Sequence, residues 1–116
     1  TDAEEAEEIL ELAQAHEEAG AFSVLLEHIP ANVAKRVDEA LDIPTIGIGA
    51  GPHVSGQGLI ITDVLGMGDW VPPFAKQYAD VQSEMEKGVE GFRKEVESGE
   101  FPAEDHYVEE SIDGWN

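Results

Sequence analysis

Two acidic residues lie where an α/β enzyme would place its proton-transfer groups. Glu27 directly follows the apolar run AFSVLL, and Asp63 directly follows the run Leu59 to Thr62. Barrel and doubly wound enzymes carry acid and base groups at the carboxyl ends of parallel strands, and apolar surroundings would make Glu27 a usable base near neutral pH. Purely structural roles remain open. Glu27 could cap the next helix or pair with Lys35 or Arg36, and Asp63 could accept N–H groups of its own loop.

The histidines give a weaker chemical signal than these acids. His16, His28, His53 and His106 show neither HxH nor HExxH spacing, and the chain has no cysteine. His28 and His53 could face one pocket across adjacent strand ends, although surface positions are the commoner outcome for histidine. We therefore predict no metal site within this chain.

A glycine-rich segment, residues 43–63, is the centre of the pattern. Gly47, Gly49 and Gly51 lie at the end of an apolar run, where their backbone can approach a ligand and several can take positive φ. A dinucleotide site would need a helix to begin at the last glycine, but a second strand-like run follows instead. A loop at the carboxyl end of a barrel strand fits the pattern better.

The elements that must position these residues alternate between helix and strand. The spacing predicts helices over 1–18, from Pro30, and over about 74–97, with buried strands over 21–26, 44–48 and 59–62. Gly99 is predicted to stop the last helix. This order predicts parallel strands in one domain over 1–116, with no linker. The apolar stripe predicted for the last helix contains Phe74, Tyr78, Val81, Met85, Val89, Phe92 and Val96.

Charge excludes several classes of partner. Asp and Glu number 26 against 6 Lys and Arg, and the net charge of -20 repels nucleic acid and anionic membranes. The acids spread along the helices, which favours a folded surface screened by a high-salt cytoplasm, with an acidic mesophilic protein as the alternative.

No apolar run is long enough to span a membrane and no signal peptide is present, so we expect a cytoplasmic protein. The chain lacks an initial Met and is too short for a whole (β/α)8 barrel, so we expect a piece of one.

Several segments resemble ketopantoate hydroxymethyltransferase, the 3-methyl-2-oxobutanoate hydroxymethyltransferase family. They are LLEHIPANVAKRVDEALDIPTIGIGAG, GQGLIITDVLG, VPPFAKQYAD and ESGEFPAEDHY, in the family's order. The resemblance implies an α/β fold, the C-terminal part of a (β/α)8 TIM barrel of the phosphoenolpyruvate-binding type. The predicted strands would be its sixth, seventh and eighth.

The resemblance also implies a reaction. A hydroxymethyl group would pass from 5,10-methylenetetrahydrofolate to 3-methyl-2-oxobutanoate, giving 2-dehydropantoate for pantothenate and coenzyme A biosynthesis. Mg²⁺ would chelate the keto acid, and the glutamate of the family's L-E-C-x-P segment, here Glu27, would accept the proton. His28 replaces the usual small residue or Cys, and Thr62 replaces a frequent His. Both departures affect the polarity of the pocket and leave the base in place.

Other implications concern what this chain lacks. The family's Mg²⁺ ligands and its substrate-binding Ser and Lys come from the first four strands, so we expect this chain alone to be inactive and poorly folded. The resemblance implies a large homo-oligomer. Two alternatives remain open: a carbon–carbon lyase or mutase of the same superfamily, and an inactive acidic module that serves only as a subunit piece.

Overall fold

The computed structural model describes residues 1–115, and their contacts form two compact units. The first unit covers Thr1–Ala79, and the second begins at Asp80. The first contains a small parallel sheet with its helices, which makes the chain an α/β protein. One partial barrel domain over the whole chain stays a prediction.

The first unit follows the predicted alternation for most of its length. Both strand pairs are parallel, in the order β1-β2-β3, with Val24 beside Thr45 and Ile46 beside Gly56. Parallel pairing is therefore confirmed. Its elements are α1 (Ala3–Glu18), β1 (Val24–Glu27), α2 (Ala31–Ala40), β2 (Thr45–Ile48), β3 (Gly56–Gln57) and α3 (Ile61–Leu65).

The two long helices of this unit cover one face of the sheet. Asp2 caps α1 by accepting a 2.9 Å hydrogen bond from the Glu5 N–H, and the Glu5 carboxylate accepts one from the Asp2 N–H at 3.0 Å. Pro30 is the N-cap residue of α2 rather than its first helical residue. The helices and the sheet share one apolar core. It is formed by Ala13, Leu26, Ala34, Val37, Leu41 and Ala50.

The opposite face of the sheet is open in the described chain. Along β1 the buried Leu26 alternates with Leu25, which is 59 % exposed, and with the exposed Glu27. On β2, Ile46 lies beside Leu25 and is 38 % exposed. Because side chains alternate between the faces of a strand, Glu27 projects from this open apolar face.

A polar cluster around the buried Thr45 joins α2, β2 and the following loop at the amino end of β2. Thr45 is fully buried and donates a 2.5 Å hydrogen bond from its hydroxyl to Asp38 Oδ1. The Ser55 hydroxyl donates to the same oxygen at 3.0 Å, and the Ser55 N–H donates to Thr45 Oγ1 at 3.3 Å. Each of the three side chains forms a hydrogen bond with at least one of the other two residues, so the loss of any one of them leaves a polar group without its partner.

We expect Thr45→Val to destabilise the protein by about 1–3 kcal/mol, because the Ser55 N–H loses its acceptor and the Asp38 carboxylate loses a donor. Urea denaturation of the full-length protein that contains this chain would measure the change. The control is Glu39→Gln on the same helix, which breaks only an exposed 3.8 Å pair with Lys35 and should cost less than about 1 kcal/mol. Equal losses in the two variants would contradict a structural role for the cluster.

The predicted third strand, Leu59 to Thr62, is wrong. Pairing with β2 occurs earlier, at Gly56 and Gln57, and ends with the Gly58 N–H donating to the Gly47 carbonyl at 2.9 Å. Beyond this point β2 turns away at Gly49, whose φ is +64°, so no extended backbone remains to pair with the next residues. They form α3 instead, which ends at Gly66 in the left-handed conformation.

The predicted long helix is shorter than its apolar periodicity suggests. Phe74 and Tyr78 precede it, and the Tyr78 N–H donates to the Val64 carbonyl at 2.8 Å, which holds this segment against α3. The helix of the second unit, α4, covers Val81–Ser98 and ends at Gly99, as predicted. A short 3-10 helix, Glu104–His106, follows it. On α4 the predicted stripe residues Met85, Val89, Phe92 and Val96 are exposed.

The start of α4 depends on Asp80. Its carboxylate accepts a 2.7 Å hydrogen bond from the Ser83 hydroxyl and a 3.2 Å bond from the Ser83 N–H, and these bonds lower the pKa of Asp80 below its ordinary 3.8. The folded state therefore favours the ionised form. This stabilisation is fully present above the ordinary value and is lost as the pH falls through the lowered pKa.

We expect Asp80→Ala to reduce the helicity of α4 at neutral pH and to have less effect once the wild-type carboxylate is protonated. Far-UV circular dichroism during an acid titration of the full-length protein would show the difference. Asp113→Ala, in the tail, is the matched control. A loss of helicity that is the same at both ends of the titration would contradict the capping role.

Candidate active site

Glu27 lies at the carboxyl end of β1, beside Ile48 in the parallel register. Its carboxylate has no hydrogen-bond or ion-pair partner among residues 1–115. The structural roles left open by the sequence are not observed: α2 has no side-chain cap, and Lys35 pairs with Glu39. Glu27 is thus an exposed carboxylate on the open face of the sheet, available to a ligand bound there.

The residue after Glu27 has an unusual backbone. His28 has φ +51°, in the left-handed region that few non-glycine residues adopt, and its N–H donates to the Ile48 carbonyl at 2.8 Å. Its ring lies 5.1 Å from the Phe74 ring, centroid to centroid. The hydrogen bond and the ring contact fix the turn that directly follows the acid.

The glycine-rich loop after β2 packs closely against its neighbours. Gly49 and Gly51 have φ of +64° and +81°, as predicted for positions that need glycine. A Cβ at Gly49 would lie 2.6 Å from Phe74 Cγ, and one at Gly51 would lie 2.4 Å from Ala31 Cβ. The Gln57 side chain donates to the Gly51 carbonyl at 2.8 Å, which ties the loop to β3. A strand, not a helix, follows this loop, as expected for a site that is not of the dinucleotide type.

Two grooves meet at Gly49. One has a volume of about 410 Å³ and is lined by Thr1, His28, Ile29 and Pro30 as well as Gly49. The other has a volume of about 500 Å³, and Gly49 forms part of its wall. Its remaining lining is glycine backbone with a few side chains, namely Gly51, Pro52, Gln57, Gly58, Leu59, Phe74, Lys76 and Tyr78.

The sequence pattern did not reveal three residues of the second groove. Phe74 and Tyr78 fitted a helical stripe, and Lys76 lay between them. The signal that could have separated them from the helix is the Asp80 to Ser83 capping pattern, which starts a helix at Val81. The double proline at Pro72 and Pro73 also favours a loop, and this loop returns to the carboxyl end of the sheet.

The other predicted site residues do not join Glu27. Asp63 lies in α3 rather than at a strand end, so the reason for proposing it as a catalytic acid no longer holds. His28 lines a groove, whereas His53 is exposed and lines neither groove at Gly49. His16 contacts the Leu12 carbonyl at 2.7 Å, and His106 accepts a hydrogen bond from the Ala103 N–H.

Comparison with known proteins identifies the family. The family model described as ketopantoate hydroxymethyltransferase matches residues 1–104. This chain belongs to the ketopantoate hydroxymethyltransferase family. Proteins named 3-methyl-2-oxobutanoate hydroxymethyltransferase are similar to it: that of Haloarcula marismortui is 56% identical over 97% of this chain, and that of Halobacterium salinarum is 54% identical over the same share. The protein of that name from Thermococcus kodakarensis is 57% identical over 91% of the chain.

The chain spans only part of those ketopantoate hydroxymethyltransferase relatives. It covers 42% of the two halophile proteins and 37% of the Thermococcus protein.

No helix within residues 1–115 is long and apolar enough to cross a membrane. Within the same residues, no three His, Cys, Asp or Glu side chains come together in a way that could hold a metal ion.

Proposed function

We propose that the full-length protein containing this chain is a hydroxymethyltransferase that converts 3-methyl-2-oxobutanoate to 2-dehydropantoate. Family membership supports the reaction class, and the observation that carries the site is the unpartnered Glu27 carboxylate at the carboxyl end of β1. The one-carbon donor is 5,10-methylenetetrahydrofolate. The product leads to pantothenate and coenzyme A.

In this proposal Glu27 is the proton acceptor. It removes the proton from the carbon next to the keto group, and the electron pair of the broken C–H bond forms the enolate. The enolate carbon then bonds to the methylene carbon of the donor as one of the two C–N bonds of that carbon breaks. The oxygen of a water molecule replaces the second C–N bond and becomes the hydroxyl group. The two nitrogens of the departing tetrahydrofolate take up one proton from Glu27 and one from the water molecule. The open face of the sheet presents Glu27 beside the apolar Leu25 and Ile46, which suits a small branched keto acid.

The resemblance implies Mg²⁺, but the residues described here do not fit a site for it. Glu27 belongs to no group of three or more His, Cys, Asp or Glu side chains that could hold a metal ion, and no such group occurs elsewhere in residues 1–115. Glu27 is the residue that this chain contributes to the proposed proton transfer. We expect metal ligands in the part of the full-length protein that this chain does not cover.

The open face and the free edges of the sheet support a larger barrel. Leu25 and Ile46 stay exposed on one face, and β1 and β3 each have an unpaired edge in the described chain. Closing a (β/α)8 barrel would cover both features. We assign β1, β2 and β3 to its sixth, seventh and eighth strands, in the phosphoenolpyruvate-binding type.

The exposed stripe of α4 suits a large homo-oligomer, and the acidic surface suits a high-salt cytoplasm.

The test is one-carbon transfer by the full-length protein. We expect product that carries the label of an isotopically labelled donor when the keto acid, the donor and Mg²⁺ are present at high salt. The isolated chain, assayed under identical conditions, should give none. Turnover by the isolated chain would contradict its dependence on the missing part, and no turnover by the full-length protein would contradict the function.

A further inference from the structure

Lys76 differs from most basic residues of this acidic chain. The ammonium group has no ion-pair partner among residues 1–115 and lies 5.0 Å from the centroid of the Tyr78 ring. Most of the other Lys and Arg side chains pair with a glutamate about one helical turn away. These are Lys35, Lys87, Arg93 and Lys94.

The surroundings of Lys76 form a ligand-sized groove rather than a flat surface. The groove of about 500 Å³ presents the Phe74 and Tyr78 rings, the Lys76 cation and the bare backbone at Gly49 and Gly51. A volume of 300–1,000 Å³, mostly apolar walls and few polar groups are typical of small-molecule sites. Glycine backbone lets a ligand approach closely, because no Cβ stands in the way.

This groove adjoins the site of the proposed proton transfer. Gly49 belongs to both grooves, and the groove of about 410 Å³ includes His28, the residue next to Glu27. The contact of the His28 and Phe74 rings, 5.1 Å apart, joins their walls. A ligand in the Lys76 groove would thus lie close to the residue that follows Glu27.

We propose that the Lys76 groove binds the one-carbon donor through the carboxylate-bearing aromatic tail of that donor. The inference rests on the proposed function, which supplies an anionic aromatic cosubstrate. Lys76 would pair with a tail carboxylate, while the Phe74 and Tyr78 rings contact the aromatic ring of the donor. Lys76 is then a specificity-determining residue, and it does not touch the proton-transfer step.

The charge of the protein explains why such a cation is needed. A net charge of -20 repels an anionic cosubstrate over the whole surface. Screening by salt reduces that repulsion beyond about 10 Å at 0.1 M ionic strength, but direct contacts in the groove are screened less. The Lys76 cation, which has no ion-pair partner among residues 1–115, makes the electrostatic potential positive at the place where the donor is proposed to bind.

The experiment uses the full-length protein with Lys76→Met and Lys76→Arg, and Lys87→Met as the matched control. Lys87 lies on α4, where it pairs with Glu84 at 2.9 Å. We expect Lys76→Met to raise the KM for the donor about tenfold, as for loss of one charge-assisted hydrogen bond, and to leave the KM for the keto acid at its wild-type value. Lys76→Arg should retain most of the affinity, and the effect of Lys76→Met should shrink as salt is added.

Two competitive inhibitors measure how much the tail carboxylates alone contribute to binding. p-Aminobenzoylglutamate should compete with the donor in the wild type and lose affinity about tenfold in Lys76→Met, whereas p-aminobenzamide, which lacks the carboxylates, should bind both proteins equally. Equal rises in KM for both substrates, or an unchanged donor KM, would overturn the assignment of Lys76. If the wild type transferred no one-carbon group, the proposed function itself would fail, which is a separate result.

Discussion

Glu27→Gln in the full-length protein is expected to lower the rate of one-carbon transfer by about two to four orders of magnitude, the typical contribution of a positioned general base. Glutamine keeps the size and polarity of the side chain but cannot accept the proton. The Glu27 carboxylate has no structural partner in the described chain, so its loss should leave the stability nearly unchanged. Steady-state turnover and a thermal unfolding curve of the same preparation would show both effects.

Asp63→Asn is the informative control for this substitution. The sequence placed Asp63 and Glu27 in equivalent positions, but the structure puts Asp63 within α3. We therefore expect Asp63→Asn to change turnover far less than Glu27→Gln. Comparable losses in both variants would contradict the choice of Glu27, as would an unfolding temperature that falls together with the activity of Glu27→Gln.

Gly49→Ala should be among the most destabilising substitutions in this chain, at about 2–5 kcal/mol. Two costs combine. At φ +64° an L-residue is strained, and the new Cβ would lie 2.6 Å from Phe74 Cγ. Phe74 must move, and its contact with the His28 ring carries that movement to the residue beside Glu27. We expect lower stability in urea denaturation and lower turnover in the protein that remains folded.

Two further variants separate the costs at Gly49. Gly88→Ala, within α4, meets no atom within 4 Å and should stabilise the protein by up to about 1 kcal/mol, because alanine favours helix. Gly49→Ala combined with Phe74→Ala should recover the steric part of the loss and retain the backbone part. If Gly49→Ala were as harmless as Gly88→Ala, the close packing of Gly49 against Phe74 would be wrong.

The elements predicted correctly from the sequence are those whose local signals agree with the packing. In α1 and α2 the apolar spacing matches the buried residues Ala13, Ala34 and Val37, and Gly99 ends α4 where predicted. The parallel order followed from the alternation of helix and strand. In each of these cases local preference and tertiary contact favour the same conformation, so the sequence was sufficient.

The failures come from contacts that are distant in sequence. Leu59 to Thr62 has a strong preference for strand, but a strand needs a partner, and β2 turns away at Gly49. Phe74 and Tyr78 fit a helical period, yet they pack toward the sheet end and α3. A pattern along the chain reports which residues are apolar, and it does not report which surface covers them.

The candidate site was predicted only in part for the same reason. The strand-end position of Glu27 is local and was visible, as was the need for glycine at Gly49 and Gly51. The groove around Lys76 depends on a loop that returns to the sheet, and no spacing in the sequence encodes that return. Membership of the ketopantoate hydroxymethyltransferase family does not support the lyase or mutase alternative.

The central claim is that Glu27 removes the proton next to the keto group. Deuterium exchange at that carbon of 3-methyl-2-oxobutanoate, followed in the full-length protein with Mg²⁺ and without the one-carbon donor, tests this step alone. We predict exchange in the wild type that falls by at least about a hundredfold in Glu27→Gln. Unchanged exchange in Glu27→Gln would contradict the claim and would place the base in the part of the protein that this chain does not cover.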